Sequence, residues 1–256
     1  MSKIIAVANQ KGGVGKTTTC INMCAVLTSR GKRVLICDLD PQGNCTSGMG
    51  LDKKTEPNIY DVLVNRTEIK ASIKKSKHAD IIPSNKNLSG ATVELVSEER
   101  REYILKNQLD KIKEEYDYIF IDCPPSLEML TLNGLVAADS VLIPVQCEYF
   151  ALEGLSDLLT TIKMIKKRLN PKLEIDGVVL TMYDSRVRLS NDVSDEIETF
   201  FKDKVYKTRV PRNIRLSEAP SHGKPIIEYD RMSKGARAYY KLTSEFLARE
   251  REQGGE

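Results

Sequence analysis

Long apolar runs are missing from this 256-residue chain. No stretch approaches the ~18 consecutive apolar residues that a membrane-crossing helix needs. The start, Met1-Ser2-Lys3-Ile4, passes into a strand-like run without the apolar core and cleavage site of a secretory signal, so a cytoplasmic protein is expected. An excess of one charge is missing as well: 39 Lys and Arg stand against 36 Asp and Glu, a net charge of +3, which is too balanced to argue for nucleic-acid binding by itself. Six cysteines are present, but no C-x-x-C pair. Cys20 and Cys24 are four apart and would share a helix face, yet without a nearby His or Cys cluster they make a poor metal site; reduced, buried thiols are expected. There is also no internal repeat, low-complexity tract or Pro/Gly/Ser-rich linker. A single domain over residues 1–256 follows, with 41% hydrophobic residues to fill its core.

Short β-rich apolar runs are present and alternate with longer helical patterns. The pattern predicts strands near 3–9, 32–38, 79–83, 117–122, 139–145, 175–182 and 204–210, with helices near 16–30, 88–115, 126–137, 152–169, 190–203 and 233–250. Such alternation predicts an α/β fold: a doubly wound, mainly parallel sheet with helices on both faces. The unbroken apolar runs Val141-Leu142-Ile143 and Val178-Val179-Leu180 suit parallel strands buried on both sides. Ligands of such sheets lie beyond the carboxyl ends of the strands, which here means the loops after Asn9, Asp38 and Asp122. Residues 46–77, polar and lysine-rich, read as peripheral short helices.

Between the first strand and the first helix stands K-G-G-V-G-K-T-T, residues 11–18. A nucleoside triphosphate carries several close negative charges, and backbone N–H groups surround them only where side chains do not intrude. Gly12, Gly13 and Gly15 clear that space, the helix start adds unpaired N–H groups and its positive dipole end, Lys16 adds a point charge, and the Thr17 hydroxyl is placed to ligate Mg²⁺. The usual pattern G-x-x-x-x-G-K-[ST] wants glycine where this chain has Gln10, and Lys11 follows at once. Mg²⁺ also asks for a carboxylate nearby, and Asp122 supplies it at the end of the apolar run Tyr118-Ile119-Phe120-Ile121. Asp38 and Asp40 flank Leu39 at the end of the second strand, where the chain can turn and bring both near the phosphates.

The early lysine in K-G-G-x-G-K-T-T resembles the deviant Walker A motif of the ParA/MinD group of P-loop ATPases. D-L-D-P-Q-G-N (38–44), I-D-C-P-P-S (121–126), P-V-Q-C-E-Y-F-A-L-E-G (144–154) and V-P-R-N-I-R-L-S-E-A-P-S-H-G-K-P (210–225) are similar to the short chromosomal ParA, or Soj-type, proteins. The resemblance spans nearly the whole chain and implies a P-loop NTPase fold and a slow, Mg²⁺-dependent ATPase. ATP would lie on Lys11, Gly12, Gly13, Val14, Gly15, Lys16, Thr17 and Thr18, with Pro211 and Asn213 at the adenine, although on sequence alone Pro-Arg-Asn is simply a turn after a strand. Thr17 would ligate Mg²⁺ directly, Asp38 and Asp122 from its outer shell, and Asp40 would orient the attacking water. Lys11 would reach the nucleotide of a second subunit, making dimerisation nucleotide-dependent, and Lys11, Lys16 and Asp40 would carry catalysis by positioning and charge neutralisation.

The resemblance further implies an ATP-bound homodimer that coats nucleoid DNA without sequence preference and is released when a ParB-type partner stimulates hydrolysis, with a role in replication initiation or sporulation. Five basic and no acidic residues lie between Lys204 and Arg215, and four more between Arg231 and Lys241. By resemblance Arg186 and Arg215 are the leading double-stranded-DNA contacts, with Arg188, Lys204, Lys207, Arg231 and Lys234 as supplements; phosphate contacts of this kind are salt-dependent, and a dimer doubles them. With the first strand read as beginning at Lys3, no N-terminal operator-reading helix-turn-helix is expected. A MinD-like membrane-associated ATPase is the alternative. The last helix instead groups Tyr239, Leu242, Phe246 and Leu247 on one face, the pattern of a docking helix with a polar tail, so no stable membrane binding is expected. Cys123 beside Asp122 keeps a cluster-holding electron-transfer ATPase slightly open.

Overall fold

Among the described residues, six apolar segments form strands: β1 (Lys3–Val7), β2 (Val34–Asp38), β3 (Asp80–Ile82), β4 (Tyr118–Asp122), β5 (Ser140–Gln146) and β6 (Glu174–Thr181). They join into one sheet, all parallel, in the order β3-β2-β4-β1-β5-β6. The computed structural model describes residues 2–149 and 151–254, and the side chains to Glu252; Met1, Phe150 of the 144–154 motif and residues 255–256 of the polar tail lie outside the described residues.

The helices are α1 (Lys16–Ser29), α2 (Asn44–Gly48), α3 (Ile59–Leu63), α4 (Ile69–Ser72), α5 (Leu88–Glu94), α6 (Ile104–Leu109), α7 (Met129–Ala137), α8 (Ala151–Arg168), α9 (Arg188–Phe201), α10 (Ile214–Glu218), α11 (Ile226–Tyr229) and α12 (Lys234–Gly254). Strand residues alternate between two cores. Ile5 and Val7 of β1 face one shared with Cys20, Met23 and Leu27 of α1 and Tyr239, Leu242 and Phe246 of α12. Ile4 and Ala6 face the other, shared with Leu135 of α7, Leu155 of α8 and Ile197 of α9. The arrangement is the expected doubly wound one. Helix α12 docks as its apolar face required: Tyr239 meets Thr19 at 3.1 Å between hydroxyls, and Phe246 lies 5.4 Å from the Tyr118 ring. Among the described residues no helix is long and apolar enough to cross a membrane.

Two sequence expectations need correction. The stretch 204–210 is not a seventh strand. It runs beside β6 and touches it in isolated parallel bridges, Val178 with Val205 and Tyr183 with Pro211. Between them the Lys207 and Thr208 N–H groups donate to the Glu245 carboxylate of α12 at 2.7 and 2.9 Å, and Pro211 has no N–H to give, so the ladder cannot run on. Nor is 88–115 one helix: α5 passes into a 3-10 turn, Arg100 takes a left-handed φ of 55°, and α6 starts afresh at Ile104. The short helices expected in 46–77 are α2, α3 and α4.

Candidate nucleotide-binding site

Register brings the three motif loops together. Val7 of β1 and Asp38 of β2 both stand opposite Asp122 of β4, so the loops after these strands open at one sheet edge. From Val7 the chain wraps the head of α1. Gly13 and Gly15 take φ of 75° and 86°, values that a side chain would strain, and Gly15 caps α1 without a side-chain hydrogen bond. The first-turn N–H groups of α1, including those of Thr17 and Thr18, are therefore open to an anion. Val14 is buried, and its carbonyl accepts the Thr181 hydroxyl at 2.8 Å, which ties the loop to β6.

Lys16 is almost buried, its Nζ 3.1 Å from the Lys11 carbonyl. Burial lowers its pKa, and Asp122, Cys123 and Asp40 pull it back up. The carboxylates differ sharply in their partners. Asp38 is fully buried and satisfied: Thr46 donates its N–H and hydroxyl to Oδ2 at 2.8 and 2.7 Å, and the Asp40 N–H reaches Oδ1 at 3.2 Å. Burial nevertheless raises its pKa to about 6. Asp40 borders the cleft, with Oδ1 accepting the Gln42 N–H at 2.9 Å and its carbonyl accepting the Ser84 hydroxyl. Asp122 is fully buried and neither of its oxygens makes a well-formed hydrogen bond, although the Thr17 hydroxyl bears on it. Burial, then Asp38, raise its pKa well above the carboxylate range, against the pull of the Thr17 hydroxyl.

An orphaned buried carboxylate is expensive, and a hard cation with its waters would satisfy it. Asp122, Asp38 and the Thr17 hydroxyl are thus a donor set that fits Mg²⁺, which uses few protein oxygens and completes its shell with water and phosphate. Among the described residues no group of three or more His, Cys, Asp or Glu forms a dedicated metal cage, and Cys123 is buried with its thiol pKa pushed up. Neither observation suits a sulfur-held cluster.

A cleft of about 510 Å³ runs from Gly12, Gly13, Gly15, Lys16, Thr17 and Thr18 past Asp40 to Pro211 and Asn213. The sequence-named loop and the two candidate adenine contacts thus share one cavity. Asn213 caps α10, its side chain accepting the Arg215 N–H at 3.1 Å, so its oxygen is already engaged. A larger cleft of about 770 Å³ between Glu198, Lys207 and Glu245 contains no loop residue. Sequence reasoning missed Thr46, Ser84 and Thr181, which brace Asp38, Asp40 and Val14. Thr46 alone had a signal, its place just after the D-L-D-P-Q-G-N run.

Lys11 turns away from this cleft. Its N–H donates to Asn9 Oδ1, and its Nζ lies 2.9 Å from Glu148 beyond β5. The candidate DNA residues divide. Arg186 is exposed but clamped by Asp184, whose pKa it lowers to about 2. Arg215 pairs with Glu218 at 2.9 Å and Asp230 at 3.6 Å. Arg188 opens α9 near Asp192, and Arg231 and Lys234 precede and open α12. Lys204 and Lys207 sit apart, along β6 in the larger cleft.

Residues 2–175 match a family model described as an AAA domain. The sporulation initiation inhibitor protein Soj of Bacillus subtilis (strain 168) is 55% identical over 251 residues, which cover 97% of this chain and 99% of that one. The chain belongs to the ParA/Soj family of chromosome-partitioning ATPases. The chromosome partitioning protein ParA of Caulobacter vibrioides agrees, at 48% identity over 98% of this chain and 96% of its own. A solved structure from Mycobacterium smegmatis, cobyrinic acid a,c-diamide synthase with an ATP analogue and magnesium, superposes with a TM-score of 0.87 at 37% identity, covering 100% of this chain and 98% of that one. Structures of this fold thus carry differently named activities, and the ParA/Soj assignment rests on the more identical relatives.

Proposed function

We propose that this chain is a Mg²⁺-dependent partitioning ATPase whose ATP-bound homodimer binds double-stranded DNA without sequence preference. The observation that carries the reading is the buried Asp122 carboxylate, without a well-formed hydrogen bond, beside Lys16 at an open helix start, a site whose charges are incomplete without a metal and an anion. ATP occupies the loop from Lys11 to Thr18, with its base toward Pro211 and Asn213. Mg²⁺, when bound, would supply charge neutralisation at the phosphates; Thr17 would hold it directly, with Asp38 and Asp122 in its outer shell. Lys16 adds a fixed cation, and Asp40 orients the attacking water with its free oxygen. Hydrolysis is slow because the site offers positioning rather than a strong base.

Lys11 serves the nucleotide of the second subunit, so that ATP joins the dimer. The dimer presents Arg186 and Arg215 twice, supplemented by Arg188, Arg231 and Lys234, and associates with the nucleoid. A ParB-type partner ends the cycle by stimulating hydrolysis. Regulation of replication initiation or sporulation fits the same switch. The MinD-like alternative is disfavoured because the apolar face of α12 is packed against α1 and β4.

DNA binding measured across a salt series with ATP and with ADP tests the switch. Tight, steeply salt-dependent binding is expected with ATP alone, and Arg215→Ala flattens the log–log slope by about one unit for each phosphate left unneutralised. Equal binding with both nucleotides would overturn it.

A further inference from the structure

We infer that Glu148 is a positioning residue for Lys11, holding that lysine inside its own subunit until a second subunit presents a nucleotide. The inference rests on the reading of Lys11 as a lysine that acts across the dimer.

The backbone of Lys11 is fixed on both sides. Its N–H donates to Asn9 Oδ1 at 2.9 Å, and Asn9 in turn donates its amide to the Pro144 carbonyl at 2.8 Å. The Lys11 carbonyl receives Lys16 Nζ. Only the side chain can swing, and its ammonium is 2.9 Å from Glu148 Oε2. The other Glu148 oxygen accepts the Gln146 side-chain amide, and the Glu148 N–H bonds to the Gln146 carbonyl at 2.8 Å. The carboxylate is thus held from behind by the end of β5.

Lys11 and Glu148 keep 31% and 47% of their side-chain surface in water. A pair this exposed is a weak hold, strong enough to orient the lysine and weak enough to yield to a triphosphate. Dimerisation breaks the pair once in each subunit, so its strength enters the dimer constant twice. For exposed pairs this corresponds to about a 2- to 30-fold weaker dimer than a chain without the hold.

The test is sedimentation equilibrium of the full chain with a non-hydrolysable ATP analogue and Mg²⁺. Glu148→Gln keeps an acceptor for Gln146 but removes the charge, and it should tighten the dimer by about 2- to 30-fold at low salt, with the gain shrinking as salt screens the native pair. Glu148→Ala should tighten it likewise. In a Lys11→Ala background the same changes should do nothing. Unchanged or weaker dimers of both Glu148 variants, with Lys11→Ala still monomeric, would overturn the hold alone. Normal dimers of Lys11→Ala would overturn the reading beneath it.

Discussion

Replacing Asp122 by Asn should stabilise the ligand-free chain and cripple its response to Mg²⁺ and nucleotide. The carboxylate is fully buried without a well-formed hydrogen bond, and its pKa is raised well above the ordinary range. The folded chain therefore holds a proton that the unfolded chain has released, and stability falls as pH rises from about 4 through the raised value. Asp38, raised to about 6, adds a loss of the same sign between its ordinary value and about pH 6. Below about pH 4, where the folded and the unfolded chain both hold the proton, the carboxyl and the amide are nearly equivalent, and the two proteins should melt together. At pH 8 the raised pKa of this buried group costs the parent about 1–3 kcal/mol, which is roughly 2–12 °C in Tm for a chain of this size. Lys16 loses one of its charge partners but keeps Asp40, which trims the gain. Saturating Mg²⁺ and ATP should reverse the order, because a ligand at about 1,000 times its Kd adds about 4.1 kcal/mol to a chain that binds it and nothing to one that does not. Thermal melts from about pH 4 to pH 8, with Mg²⁺ and ATP added at pH 8, make the comparison. A variant no more stable than the parent at pH 8 would refute the reasoning.

Other expectations follow from particular contacts. Phe246→Ala, which empties the space between α12 and the Tyr118 and Phe120 rings, should cost about 3–5 kcal/mol by denaturant titration. Gly15→Ala forces a side chain into φ 86° where its Cβ would still clear Thr181 at 3.7 Å, so the cost is conformational, about 1–2 kcal/mol, with weaker nucleotide binding by calorimetry.

What the sequence makes legible is what is local. The loop of residues 11–18 needs only its own glycines, lysines and helix start, and Asp122 announces itself by ending an apolar strand. The doubly wound sheet follows from periodicity. What it hides depends on residues far along the chain. The apolar stretch 204–210 reads as a strand until Glu245, on another element, takes its N–H groups. The long helix over 88–115 fails at Arg100, where nothing as plain as a glycine marks the left-handed turn. The basic run before Arg215 contains no acid, yet Glu218 and Asp230 close on Arg215 from beyond it, and Asp184 on Arg186 from within its own loop. Glu148 lies 137 residues from Lys11, and no spacing joins them.

The central claim is that nucleotide joins two subunits through Lys11, and sizing by sedimentation velocity tests it most directly. The parent chain should be a monomer with ADP and a dimer with ATP and Mg²⁺, whereas Lys11→Ala should remain a monomer with either while still binding ATP. A Lys11→Ala protein that dimerises with ATP as the parent does would contradict the account.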